Sequence, residues 1–233
     1  MSDKKLWDHH QNDNRSHLIQ WYPRQNKIFY KIKKLLPVWS KLLEIGFGDW
    51  YLLNKLSRFG YSVLWQDLSE KNIELTQKQR KNKNIKFLFW GNDWKLLVND
   101  KSLDGFIASE VLEHMWDNEL LFCVKEIYRS LKKWWYVFLT FPVKENLKAN
   151  ECICPKCWEV FHKRWHKQYW DDKKVKKIFN NFQIIEFKEF FSRYIWESIL
   201  SNAIGYIMFI IRKFLDKIID LDNKTYLLIL KKL

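Results

Sequence analysis

The sequence predicts an α/β domain built around a doubly wound parallel sheet, and three observations carry that expectation. Short apolar runs alternate with stretches of helical period across residues 41–142, the pattern of βαβ units whose strands are covered on both faces. The run "KLLEIGFGDW" leaves its apolar stretch through two glycines just before a helical stretch begins. A second apolar run, "YSVLWQD", ends in an acid, Asp67.

Each element follows from its local pattern. After the polar start, Pro23 interrupts "HLIQWYPRQNKIFYKIKKLLP", and apolar residues at helical spacing then predict a helix from about Arg24 to Leu36. "SKLLEIGF" reads as a buried strand. "WYLLNKLSRFG" returns to helical period and stops at Gly60. "YSVLWQD" is the second strand, and "SEKNIELTQKQRKN" is a helix with Ser69 as its N-cap. "IKFLFW" and "LDGFIASE" are the third and fourth strands. "DNELLFCVKEIYRSLKK" is an amphipathic helix with Leu120, Leu121, Val124, Ile127, Tyr128 and Leu131 on its apolar face. A tight turn at Trp134-Trp135 then leads into the strand "YVFLTFP", and "NFQIIEFKEFF" and "KTYLLILKKL" read as two further strands. The expected organisation is a polar tail over 1–20, a core over 21–145, a small insertion over 146–170, and C-terminal helices and strands of the same sheet over 171–233.

Composition narrows the class. The chain has 233 residues and is 47% hydrophobic and 29% charged, enough apolar residue for one sizeable core. Its net charge is +14. That balance suits an anionic partner, nucleic acid or a membrane surface. It also suits the codon usage of an AT-rich genome, because Lys is scattered and accompanied by Asn, Ile, Phe and Tyr. The polar N-terminus shows no signal peptide, so a cytoplasmic location is expected. Two counts are abnormal: 6 glycines and 14 tryptophans, where average usage of about 7% would give roughly 16 glycines.

The loop after the first strand carries the chemistry. In a doubly wound fold, a strand–glycine turn–helix is where a nucleotide-like ligand lies. Glycine lets the backbone approach the ligand, the helix N-terminus offers N–H groups, and an acid ending the second strand can accept ribose hydroxyls. Glu44, Gly46, Gly48 and Asp67 occupy those places. With "EIGFGDW", Asp67, "LDGFIASEVLEHM" and "RSLKKWWYVFLTFP" together, the chain resembles the class I S-adenosylmethionine (SAM)-dependent methyltransferases over about residues 20–145 and again in its last two strands. The resemblance implies a Rossmann-like, seven-stranded, mostly parallel sheet whose last strand is antiparallel. It implies SAM as cofactor, bound by Glu44, Gly46, Gly48, Asp49, Trp50, Asp67, Leu68, Asp93 and Glu110, with Asp93 near the adenine. It also implies Glu113 and His114 as the candidate catalytic pair at the end of strand four, where a general base is needed if the acceptor loses a proton.

The departures from the family pattern are systematic. Trp50 stands at the third motif glycine, and Trp134 and Trp135 stand at the family's Gly-Gly turn. Trp39, Trp65 and Trp158 also stand where glycine is common. Some bacterial lineages read the UGA codon as glycine, and another common table reads it as tryptophan. Translation with the wrong table would produce this deficit, this excess and these positions. The alternative is a genuine set of tryptophans in a pseudoenzyme with a filled pocket.

Two further features bear on partners. "CICPKCWEVFHKRWH" contains Cys154-x2-Cys157-x4-His162-x3-His166, a spacing that predicts a tetrahedral zinc site in a lid-like knuckle. Exchange of one histidine for Cys152, or a reduced cysteine pair without metal, are the competing readings, and Cys123 reads as core packing. The run from Ser198 to Ile211 is uncharged but shorter than the roughly 20 residues a bilayer span needs. It predicts a packed helix, a dimer contact, or a peripheral membrane contact through 198–215, the last suiting a lipid-like acceptor. The expected activity is methyl transfer from SAM to a small-molecule or lipid-like acceptor. A nucleic-acid-binding or RNA-modifying protein that uses the basic surface and the knuckle is the rival.

Overall fold

The computed structural model describes residues 22–46, 48, 50–79, 85–89, 94–191 and 224–233. In chain order the elements are α1 (Tyr22–Leu35), β1 (Lys41–Ile45), α2 (Tyr51–Phe59), β2 (Ser62–Asp67), α3 (Glu70–Gln79), β3 (Ile85–Phe89) and β4 (Leu103–Ser109). They continue with α4 (Asp117–Ser130), β5 (Leu131–Pro142), β6 (Glu151–Ile153), β7 (Val160–His162), α5 (Asp172–Ile178), β8 (Phe182–Phe191) and β9 (Lys224–Lys232). The main sheet has seven strands in the order β3-β2-β1-β4-β5-β9-β8. Strands β1 to β5 pair in parallel, and β9 runs antiparallel to both its neighbours. The expected sheet is therefore present. Its strand order reverses between β1 and β4, so the loops after these two strands diverge and leave a crevice at their carboxyl ends.

Alternation along the strands feeds two cores. Leu42, Val63, Trp65, Ile107, Phe138 and Ile229 face one side, where α1 contributes Ile28 and Ile32 and α2 contributes Leu52, Leu53 and Leu56. Leu43, Ile45, Phe106, Ala108, Val137, Leu139 and Leu228 face the other, against Leu120, Cys123, Val124 and Ile127 of α4 and Val175 of α5. Each fully buried Leu, Ile or Phe contributes about 1.5–3 kcal/mol relative to exposure. The buried Cys123 packs as expected, and burial pushes its thiol well above the usual range.

Three expectations need correction. Leu121 and Tyr128 of α4 are exposed, 47% and 36%. The stripe formed by residues 120, 123, 124, 127 and 131 already fills the 3.6-residue period, and both lie to its side. No turn separates α4 from β5, which begins at once with Leu131. Leu131 pairs with Leu103 and Tyr136 with Gly105, so residues 132–135 form a bulge opposite Asp104. The Trp134-Trp135 corner is thus a bulge inside a strand, with Trp134 at φ 69°.

The segment after β3 is pinned from α4. Arg129 donates to the Leu96 and Val98 carbonyls, to Glu126 and to Asp100, and Glu126 accepts the Leu96 N–H. The hydrogen bond from Arg129 holds the Glu126 carboxyl below the usual range, against the opposing effect of burial. A depressed carboxyl stabilises the fold above its unfolded pKa, and that stability is lost as pH falls through the folded value. Arg129→Met is expected to cost about 2–3 kcal/mol, because it takes the partner from a buried carboxylate and two carbonyls. It should also reduce the loss of melting temperature on acidification. Thermal melts across the acid range check both.

Residues 192–223 lie outside the described residues, so the expected contact through 198–215 has no structural account. Among the described residues no helix is long and apolar enough to cross a membrane.

Candidate active site

The carboxyl ends of β1, β2 and β4 meet at the crevice. Beyond Ile45 the chain turns through Gly46 at φ 61°, where a Cβ would lie 2.5 Å from Val111 Cγ2. Only glycine lets the β1 loop pack on the exit of β4. The Gly46 N–H donates to the Gln66 carbonyl at 3.1 Å, tying the loop to β2. Gly48 follows at φ 55°, and Trp50 stands at the N-cap of α2 at φ 62° without a side-chain cap. Glu44 is buried in β1 between Trp65 of β2 and Ile107 of β4.

Asp67 ends β2 and is buried. Its Oδ1 accepts the Ser69 N–H at 2.7 Å, and its Oδ2 accepts Asn72 Nδ2 at 3.2 Å. Ser69 Oγ in turn accepts the Asn72 N–H at 3.1 Å, the expected N-cap of α3. These bonds fix the carboxylate at the end of β2. Leu68 packs against the core beside it. Asp49 and Asp93 lie outside the described residues. Glu110 follows β4 at φ 56°, and its Oε2 pairs with Arg24 Nη1 of α1 at 3.1 Å, with both side chains largely buried.

The segment after Glu110 is stapled to the chain beyond β7. The Glu113 carbonyl accepts the N–H groups of Lys167 and Gln168, and Gln168 Nε2 donates to the Met115 carbonyl at 2.6 Å. His114 Nδ1 lies 3.3 Å from the Trp165 carbonyl, which can only accept, so Nδ1 carries the proton and Nε2 the lone pair. Burial, then the neighbouring His166, pulls the His114 imidazole well below its usual range, so it stays neutral. Glu113 is fully buried, and neither carboxyl oxygen has a hydrogen-bond partner among the described residues. Burial, then the charge of Glu110, pushes its carboxyl well above the usual range. A carboxyl pushed in that direction holds its proton more tightly, which disfavours Glu113 as the base of the expected pair.

The four expected zinc ligands do not come together. The cysteines sit at the tip of the β6–β7 hairpin, where Cys154 N donates to the Glu159 carbonyl, and Cys157 is exposed. His162 pairs with Glu151 at the hairpin base, and both His162 and His166 are buried against Glu145. A three-residue strand at about 3.3 Å per residue separates tip from base. Among the described residues, the trios whose ligand-type atoms lie within 4.8 Å of one another are Glu113–His114–His166 and Glu145–His162–His166, and neither includes a cysteine. His162 Nδ1 accepts the N–H groups of Arg164 and His166, so its Nε2 keeps the proton and points it at Glu145, 3.5 Å away. That tautomer leaves no lone pair on either ring nitrogen for a metal. His166 Nδ1 donates to Glu145 Oε2, and Asn150 Nδ2 donates to Oε1 at 3.1 Å. Burial opposes ionisation of Glu145, but the His166 hydrogen bond and the two imidazoles hold its carboxyl below the usual range.

Sequence reasoning missed Arg24 and Glu145. Arg24 sits in an otherwise unremarkable amphipathic helix, and Glu145 lies in a loop with no motif around it. Only the sheet topology brings them to the site.

Residues 43–138, which run from β1 into β5, match the family model described as a methyltransferase domain. That match covers less than half of the chain, and the sheet order is the fold shared with solved SAM-dependent methyltransferases. Over 109 residues it is 33% identical to the ubiquinone biosynthesis O-methyltransferase of Pelagibacter ubique (strain HTCC1062), covering 47% of this chain and 44% of that protein. Over 112 residues it is 30% identical to the mitochondrial ubiquinone biosynthesis O-methyltransferase of Rattus norvegicus, covering 46% of this chain and 32% of that protein. The match thus spans less than half the length of these curated relatives. A SAM-dependent methyltransferase of Methanosarcina mazei shares the fold at TM-score 0.62 and 18% identity, covering 87% of this chain and 97% of that one. A Haloferax volcanii protein solved in complex with a methyltransferase activator shares it at TM-score 0.72 and 14% identity, covering 99% and 97%.

Proposed function

We propose that the chain transfers a methyl group from SAM to an oxygen of a small-molecule acceptor. The observation that carries the proposal is the convergence at one crevice of the Gly46 loop, the fixed carboxylate of Asp67 and the neutral imidazole of His114. When bound, the cofactor supplies an electrophilic sulfonium methyl. The backbone around Gly46 and Gly48 and the first turn of α2 would hold it, with Asp67 accepting its ribose hydroxyls. His114, oriented by the Trp165 carbonyl, would take the proton that the acceptor oxygen gives up. Oxygen as the acceptor atom follows the curated relatives, both O-methyltransferases by name. Positioning supplies much of the rate in such a transfer.

The test is transfer of label from methyl-labelled SAM to a catechol, followed by chromatography of the product. Labelled catechol ether supports the proposal, and SAM binding without any labelled ether removes the phenolic acceptor. Asp67→Ala is expected to weaken SAM binding by about 1–3 kcal/mol, the cost of losing hydrogen bonds to a charged group. Calorimetric titration measures it, and unchanged affinity would move the ribose site elsewhere.

A further inference from the structure

Among the described residues, eight that are not glycine adopt positive φ, and five of them are tryptophan: Trp50 (62°), Trp94 (55°), Trp134 (69°), Trp158 (60°) and Trp165 (55°). A residue other than glycine takes this region only a few per cent of the time, and then it is most often Asn, Asp or His. A bulky ring there sets its Cβ against the backbone. Half of the ten described tryptophans take that conformation, while Trp39, Trp65, Trp116, Trp135 and Trp170 do not.

At the clearest of these sites the surroundings offset little of the strain: Lys133 and Lys231 lie over the Trp134 ring at 5.4 Å, exposed contacts worth about 0.5–1 kcal/mol each. The indoles of Trp134 and Trp158 are 57% and 77% exposed, so their burial contributes little. The five positions are turns and corners of the kind glycine makes. Among the described residues of its loop, Trp50 follows Gly46 and Gly48 as the third at left-handed φ. Trp158 closes a turn onto the Cys154 carbonyl at 2.9 Å, and Trp165 closes one onto the His162 carbonyl at 2.8 Å. Trp134 is the left-handed residue of the β5 bulge. By contrast Trp65 and Trp170 are fully buried and pack on Phe87 and Phe141.

We propose that the host's own protein carries glycine at positions 50, 94, 134, 158 and 165, through UGA codons that it reads as glycine and that the present sequence renders as tryptophan. Positions 94 and 165 lie outside the family motifs, and Trp39, Trp65 and Trp135, whose φ angles are not positive, stay outside the assignment. The consequence for function rests on the methyltransferase reading. At residue 50 the indole begins α2 and packs on the core beside the loop that would cradle the cofactor. Removing it clears the backbone N–H groups at the helix start for the methionine end of SAM.

The experiment has two arms, both made on the chain as written. In the first, Trp134→Gly and Trp158→Gly, singly and together, are melted thermally. Relief of left-handed strain at exposed sites is expected to raise the melting temperature by a few degrees. An unchanged or lowered temperature in both overturns the proposal. In the second, Trp50→Gly is titrated with SAM and is expected to bind at least about tenfold more tightly, since a blocking side chain is gone. If the starting chain binds SAM and Trp50→Gly binds it no more tightly, the assignment at residue 50 is overturned. If the glycine forms are more stable and none binds SAM, the methyltransferase reading fails while the glycine assignment stands. Peptide mass spectrometry of the protein isolated from its host reads the residues directly, and intact tryptophan at these positions overturns the proposal.

Discussion

Gly46→Ala is expected to be the most damaging single-methyl change in the chain. The added carbon would meet Val111 Cγ2 at 2.5 Å, and the backbone there sits at φ +61°. Left-handed backbone costs an alanine about 1–2 kcal/mol, and overpacking of the β4 exit adds about 1–3 kcal/mol. Melting should fall by roughly 5–15 °C. SAM binding should disappear before the fold does, because relief of the clash requires the β1 loop to leave Val111. Gly105→Ala is the control. Its Cβ would meet the ends of the Leu42 and Leu36 side chains, without positive φ. Flexible ends can turn away, so its effect on SAM binding should be small. Calorimetry on protein verified by its melt separates the two, and equal SAM affinity in Gly46→Ala and the starting chain would place the cofactor away from this loop.

His114→Gln should leave SAM binding unchanged and lower kcat by about 10²–10⁴, the usual contribution of a positioned base. The pH dependence distinguishes a base from a packing residue. The imidazole must be neutral to accept a proton, and burial and His166 depress its ionisation. Activity should therefore persist to lower pH than an ordinary histidine allows, and then fall as pH drops through the depressed value. The variant should lack that limb. A kcat reduced with the acid limb intact would assign His114 to packing and send the proton elsewhere.

Much of this architecture was legible because local chemistry and long-range order agree. The βαβ alternation, the Gly46 and Gly48 turn and the acid at Asp67 are short-range patterns, and each falls where the doubly wound sheet puts a ligand. The Cys154/Cys157 and His162/His166 spacings are equally short-range, yet a hairpin intervenes and assigns the two pairs to different environments, an exposed tip and a buried base. Spacing in sequence cannot report that separation. The roles within the Glu113–His114 pair were also invisible, because they depend on burial. Both residues are polar in the sequence, but their surroundings push the carboxyl toward its protonated form and the imidazole toward its neutral one. Arg24, Glu145 and the Trp165 carbonyl reach the site only through packing of α1 and of the segments flanking the hairpin. The opening of β5 misled in a different way. Trp134 carries a ring where the backbone asks for none, so pattern reading found a turn where the chain makes a bulge.

The central claim is a SAM site at the carboxyl ends of β1 and β2. Its most direct test is calorimetric titration of SAM into the chain as written, into the form with Trp→Gly at residues 50, 94, 134, 158 and 165, and into that form with Asp67→Ala. The account predicts one SAM per chain in the glycine form, weaker binding in the chain as written, and an affinity reduced roughly 5–150-fold by loss of the Asp67 carboxylate, equivalent to about 1–3 kcal/mol. No heat of binding in any of the three, each shown to be folded by its melt, would contradict it.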